Sequence, residues 1–179
     1  MVLLDKKEIR MALLQKRKNY DPNSRIQASK FIQDICYETI KNYACIGIYV
    51  SDPYEVVTHD LIKRLLPNHR VCCPLIYNNG IMDFFEIKNF DDLVVQSCGL
   101  LEPKTKLLIQ PSEIDAMVLP LVAYNKEGYR IGQGKGYYDR YLEDYQGLKI
   151  GLAFSFQKAS FTWDKYDIPC HRIITNEPI

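Results

Sequence analysis

Three glycines alternate through Gly132, Gln133, Gly134, Lys135 and Gly136, and this run leads from Arg130 and Ile131 straight into Tyr137, Tyr138, Asp139 and Arg140. The chemistry such residues could perform is phosphate binding. Glycine reaches positive φ and lets backbone N–H groups face an anion with no Cβ in the way, and a helix starting there adds unpaired N–H groups and a positive dipole end. Lys135 puts a mobile cation inside that cradle. The run is neither standard nucleotide fingerprint: no Ser or Thr follows Lys135, and the spacing is not that of a dinucleotide-binding turn. Asn125, Lys126, Glu127 and Gly128 are turn formers, so a plain glycine-rich hairpin also accounts for the residues.

Other candidates lie apart in the chain. Asp139 falls in the first turn of the helix that follows the glycines. A carboxylate beside bound phosphate calls for a hard cation such as Mg²⁺ between the two anions; alone, it complements the helix dipole. Lys6 and Arg10, four residues apart, share one helical face, which is a solvated surface unless an anion is brought to it. Glu55 follows a strand, where the carboxyl edge of an α/β sheet collects ligand contacts, and it is equally readable as a loop carboxylate. His59, His69 and His171 are scattered and give little support to a Ser-His-Asp triad.

The elements that would position these residues can be read from periodicity and turn signals. Asp5 with Glu8 predicts a capping box and a helix over about 6–17; Asp21-Pro22 predicts a second helix ending near Asn42. Apolar runs predict strands at 44–50, 70–76, 81–87, at 114–122 with its end near Leu119, at 148–154 and at 172–175. A helix is expected over 58–66 and a short one at 90–95, with 99–103 a turn into a linker. Tyr138, Tyr141, Leu142 and Tyr145 recur at helical spacing before Gly147, a stripe expected to face the core.

With 179 residues, 47% hydrophobic content and a net charge of +1, the chain is expected to form one domain with a real core. It shows no global attraction to nucleic acid or an anionic membrane. The early charge at Asp5 and the lack of a long apolar run argue against a secretory leader or a membrane span, so a cytoplasmic protein is expected. Six cysteines at 36, 45, 72, 73, 98 and 170 show no metal spacing and are expected to be reduced and buried, with Cys72 and Cys73 on opposite faces of a strand.

Taken together these residues resemble the 5-formyltetrahydrofolate cyclo-ligase family over nearly the whole length. The run Arg130 to Asp139 carries the resemblance, supported by Lys6 and Arg10, the Glu55 loop, Gly99 with Glu102 and Pro103, and the ending with Ala153, Phe154, Gln157, Asp167, Ile174 and Thr175. The resemblance implies one α/β domain over 1–179, a three-layer sandwich whose mostly parallel sheet is flanked by helices, similar to sugar-phosphate isomerase and CoA transferase folds. It also implies ATP- and Mg²⁺-dependent ring closure of 5-formyltetrahydrofolate, and a monomer is expected. Carried over residue by residue, Lys6, Arg10 and the run Arg130, Ile131, Gly132, Gln133, Gly134, Lys135, Gly136, Tyr137 and Tyr138 would contact ATP. Val50, Glu55 and the run Gln133 to Tyr137 would line the folate site, Asp139 and Asp167 would hold Mg²⁺, and Lys135 would be catalytic. Three positions depart from the family pattern: Gln133 stands where Arg is common, His171 where Asp is common, and Cys98 where an aromatic is expected. On the residues alone, an ATP-independent isomerase or acyl-CoA transferase of the same broad fold and a non-catalytic nucleotide- or RNA-binding module remain alternatives.

Overall fold

Asp5 opens the first helix as its sequence predicts: its side chain accepts from the Glu8 N–H at 2.8 Å, while Glu8 accepts from the Asp5 N–H at 3.0 Å. In the computed structural model, which describes residues 4–96 and 99–177, this helix is α1, Lys6–Lys18. Asp21 caps the next, α2 (Pro22–Ile40), with Pro at its first position. Then follow β1 (Cys45–Ile48), α3 (His59–Leu65), β2 (Arg70–Ile76), β3 (Met82–Ile87), β4 (Leu93–Val95), β5 (Leu101–Pro103), β6 (Leu108–Ile109) and β7 (Ala116–Leu119). The chain finishes with β8 (Ala123–Tyr124), β9 (Arg130–Ile131), α4 (Tyr137–Leu142), β10 (Leu148–Leu152) and β11 (Arg172–Ile174).

The main sheet has the order β11-β10-β7-β1-β2-β3-β6; its first five strands run parallel, and β3 and β6 are added antiparallel at one edge. Side chains alternate across it. Ile46, Ile48, Val71, Cys73, Ala116, Val118, Ile150 and Leu152 face one buried layer with α2 and α3, while Cys45, Cys72, Phe84, Met117 and Leu119 face another with Leu142 and Tyr145. Helices on both faces of a mostly parallel sheet make the expected sandwich. Cys72 and Cys73 do lie on opposite faces, and the five described cysteines are unpaired and buried. Cys98 lies outside the described residues.

Two local expectations need correction. Residues 90–95 form a single 3₁₀ turn, Phe90–Asp92, because the Asp92 side chain takes the Lys88 and Asn89 N–H groups and closes the turn. The chain then extends as β4. Residues 101–103 form a strand rather than a linker, paired antiparallel with β4. Glu102 is buried there, where its carboxylate accepts from the Ile76 N–H at 2.7 Å.

Chain direction reverses its order between β1 and β7: from β1 the sheet grows toward β2, and it later resumes on the other side with β7. Loops leaving the carboxyl ends of these two adjacent parallel strands frame the crevice where α/β sheets collect ligands. One loop carries Glu55. The other leads through the β8-β9 hairpin into the glycines.

Candidate functional site

The glycine loop is pinned from three sides. The Arg10 Nε donates to the Gly132 carbonyl at 2.8 Å, and a Cβ on Gly134 would lie 3.3 Å from the Arg10 Cζ. From the other end Arg140 folds back, donating from Nη2 to the Lys135 carbonyl at 2.8 Å and the Gly80 carbonyl at 2.9 Å, so it ties the loop to the β2-β3 turn. Gly134 and Gly136 sit at φ of 97° and 69°, and Gly136 starts α4 with no side-chain cap on the helix N–H groups. The first turn of α4 therefore presents its N–H groups to whatever occupies the loop. Gln133, Gly134 and Lys135 are exposed.

Upstream, Gly128 is the tightest backbone contact. At φ +87° a Cβ would stand 2.7 Å from the Cys170 carbonyl, and the Gly128 carbonyl accepts from the Cys170 N–H at 2.8 Å. Gly128→Ala is expected to cost about 1–3 kcal/mol, read as a lowered urea midpoint with an unchanged m-value. An unchanged midpoint would show that this turn moves freely from the tail.

Two cation-carboxylate pairs flank the loop. Arg130, almost fully buried, donates from Nη2 to the Asp139 Oδ1 at 2.9 Å, and its guanidinium lies 5.7 Å from the Tyr138 ring centre. Lys6 pairs with Asp167, whose Oδ2 also accepts from the Asp164 N–H at 2.9 Å. Burial raises the Asp139 carboxyl above its ordinary value and the Asp167 charge adds to that, while Arg130 and Lys6 oppose it. Asp139 and Asp167 are thus close enough to sense one another. Each keeps one oxygen, Oδ2 of Asp139 and Oδ1 of Asp167, without a protein hydrogen bond among the described residues.

That donor set fits a hard cation. Among the described residues no group of three or more His, Cys, Asp or Glu is placed to hold a metal alone. A Mg²⁺ ion taken up by one or two carboxylates, with phosphate and water completing its shell, needs no more than this pair.

The Glu55 loop approaches from β1. Thr58 Oγ1 donates to the Tyr49 carbonyl at 2.8 Å and accepts from the Ser51 N–H at 3.1 Å, and Tyr49 Oη donates to the Val56 carbonyl at 2.8 Å. Glu55 Oε2 accepts from the Asp52 N–H at 2.9 Å. Burial first, and then the neighbouring Asp52 charge, push the Glu55 carboxyl up to about 7. The Tyr138 hydroxyl is pushed above its ordinary value by burial and, next, by Glu55, so the half-buried Tyr138 stands within the influence of both the Glu55 loop and Arg130. Val50 is half-buried two residues past the end of β1, against the α2-α3 core layer.

Lys6, Arg10, Arg130, Gly132 to Tyr138, Asp139, Asp167 and Glu55 are thus gathered at one end of the sheet. Ile131 is there by backbone only: its side chain packs with Ile9, Ala123 and Phe161, and its carbonyl accepts from the Val122 N–H at 2.7 Å. Tyr137 packs partly against the layer beneath α4. His171 stands away from the loop, bracketing β10 by accepting from the Lys149 N–H at 2.9 Å.

Two arginines escaped the sequence reading. Arg140 is four residues past Gly136, and that spacing sends a helical side chain back over the preceding turn. Arg17 lies on the same α1 face as Lys6 and Arg10; buried, it donates to the Leu121 carbonyl at 3.2 Å and stands 3.9 Å from the Asp52 carboxylate, so it braces the two loops of the crevice.

A sequence model of the 5-formyltetrahydrofolate cyclo-ligase family matches residues 3–176. The 5-formyltetrahydrofolate cyclo-ligase of Mycoplasma genitalium is 33% identical over 184 residues, covering 97% of this chain and 99% of that protein. Among solved structures, a 5,10-methenyltetrahydrofolate synthetase from Mycoplasma pneumoniae superposes with a TM-score of 0.81 at 29% identity, covering 97% of this chain and all of the other. One from Aquifex aeolicus gives 0.86 at 30% identity, covering 97% of this chain and 90% of the other. A match of this extent, on a chain whose glycine loop and flanking ion pairs converge at the sheet's switch point, places the protein in the 5-formyltetrahydrofolate cyclo-ligase family.

Proposed function

We propose that the chain works as one cytoplasmic, monomeric cyclo-ligase domain over residues 1–179, closing 5-formyltetrahydrofolate to 5,10-methenyltetrahydrofolate with conversion of ATP to ADP and phosphate. The observation that carries this reading is the junction at Tyr138: on one side Arg10 and Arg140 hold the glycine loop that bears Lys135, and on the other stands the Glu55 loop. A reaction that passes phosphate from a nucleotide to a folate needs those two sites to touch.

The formyl oxygen of the substrate is a poor leaving group as it stands. In the proposed sequence it attacks the γ-phosphorus of ATP and ADP departs; N10 then attacks the formyl carbon, N10 loses its proton, and phosphate leaves as the five-membered ring closes. Protein groups need only align the reactants and hold the charge that moves between them. Lys135, Arg10 and the loop N–H groups suit the phosphates. Lys6 and Arg130 hold Asp167 and Asp139 in place, and these two carboxylates would hold Mg²⁺, which supplies neutralising charge to the phosphates when bound. No thiolate is required: burial lifts the Cys36 thiol to about 12 and the Cys170 thiol to about 11. Gln133 leaves the exposed rim with one cation fewer than the common family pattern.

Mixing the protein with Mg-ATP and 5-formyltetrahydrofolate should generate methenyltetrahydrofolate absorbance with stoichiometric ADP. ADP-free turnover, or none, would sink the reading.

Glu55 gives this proposal a pH signature. Its ionised carboxylate is suited to accept from pterin N–H donors, and with its pKa near 7 that form grows as pH rises. The folate KM is expected to fall between about pH 6 and about pH 8. Glu55→Gln should raise the KM about tenfold at the upper end and flatten its pH dependence. A variant with wild-type KM and kcat throughout would remove Glu55 from the site.

A further inference from the structure

The sequence contains one tryptophan, Trp163, and it is 44% exposed. Its ring stacks on Tyr129 with centroids 4.4 Å apart and planes 13° from parallel. The stack is held rather than loose. Asn125, buried, accepts through Oδ1 from the Tyr129 N–H at 2.9 Å and donates through Nδ2 to the Phe161 carbonyl at 3.4 Å, so one side chain fixes both segments that bear the rings. Tyr129 itself packs against the Ile9, Ala123, Ile131 and Phe161 cluster, which includes the inner face of α1.

The surroundings of this stack are those of an anion site. Tyr129 directly precedes Arg130, the partner of Asp139, and Trp163 directly precedes Asp164, whose N–H bonds the Asp167 carboxylate that pairs with Lys6. Arg10, one turn along α1 from Lys6, grips the glycine loop. A planar ring held half in water beside a phosphate cradle is positioned to receive a flat aromatic group attached to those phosphates.

We propose that the Trp163-Tyr129 stack is the nucleobase platform: the base of the triphosphate co-substrate lies on the Trp163 ring while its phosphates enter the loop at 132–136. Tyr138 packs with the α2-α3 layer, whereas Tyr129 packs with Ile9 of α1 and with Phe161, so the base is directed toward α1 and the 161–167 segment. This rests on the ATP-dependent reading above. Stacking of this kind tolerates any base and is lost with the ring.

Because Trp163 is the single tryptophan, its emission reports the platform directly. Mg-ATP titrated into the wild-type protein should change the emission saturably, and Mg-tripolyphosphate, which has the phosphates without a base, should not. Trp163→Ala should raise the ATP KM about tenfold, and Trp163→Phe, which keeps a flat ring, less than about threefold. The 5-formyltetrahydrofolate KM and the competitive inhibition constant of tripolyphosphate should be unmoved. Equal emission changes with ATP and tripolyphosphate, an ATP KM indifferent to Trp163→Ala, or a rise in the folate KM instead would each overturn the platform, the last by giving the ring to the folate. Normal ADP release alongside such a result would leave the cyclo-ligase reading standing; absence of ADP release from every nucleotide would overturn both.

Discussion

Lys135→Ala is expected to lower turnover by about 10² to 10³ while the protein stays folded. The side chain is exposed and α4 begins just beyond it, whereas the loop is held by backbone contacts that do not involve the lysine side chain: Arg10 on the Gly132 carbonyl and Arg140 on the Lys135 carbonyl. Truncation therefore removes a charge and leaves its platform. In the proposed reaction negative charge redistributes over the transferred phosphoryl group, and a cation placed there stabilises the transition state more than the ground state. The loss should accordingly appear in kcat with Mg-ATP and 5-formyltetrahydrofolate both saturating, with the circular dichroism spectrum and unfolding midpoint unchanged. Near-normal kcat in a folded variant would remove Lys135 from the chemistry and leave the loop N–H groups and Arg10 as the stabilising groups.

Much of this architecture was legible in the residues because the strands of the parallel sheet are buried on both faces and read as continuous apolar runs, as in Cys45–Ile48 and Ala116–Leu119. The pair β4 and β5 was not. Each has three residues, and Glu102 in β5 is a buried carboxylate whose partner at Ile76 is brought to it only by the fold, so no local pattern distinguishes the strand from a linker. The site divides in the same manner. The glycines announce a cradle because only local backbone freedom is needed to make one. Lys6 and Arg10 read as an ordinary charged face until the chain returns, after 161 residues, to set Asp167 against Lys6, and after 122 to set Gly132 against Arg10. Arg140 carries no local signal of its role, because the tyrosine stripe of α4 turns toward the core, yet an arginine is long enough to reach back from the opposite face to Lys135 and Gly80.

Arg130→Met should damage stability and catalysis together, and a second substitution should separate them. The Arg130 side chain is 2% exposed and that of Asp139 30% exposed, so methionine would keep most of the packed volume while stranding a partly buried carboxylate. Breaking a fully buried pair costs about 3–5 kcal/mol; with Asp139 partly in water, about 2–3 kcal/mol is expected. The pH dependence fixes the cause. The Asp139 carboxyl is already raised by burial and is held down chiefly by Arg130, so without the guanidinium it rises further. A carboxyl whose folded pKa exceeds its unfolded value binds more protons folded than unfolded between the two values, so it detracts from stability as pH rises through that window. Urea unfolding should therefore show Arg130→Met closest to wild type in acid and furthest from it above neutrality. Adding Asp139→Asn removes the stranded charge and should restore much of the stability at neutral pH. Turnover, lowered about 10²-fold or more by the first change, should not return, because the carboxylate proposed to hold Mg²⁺ is then gone as well. If the double variant regains both stability and turnover, Asp139 serves only to neutralise Arg130 and holds no metal.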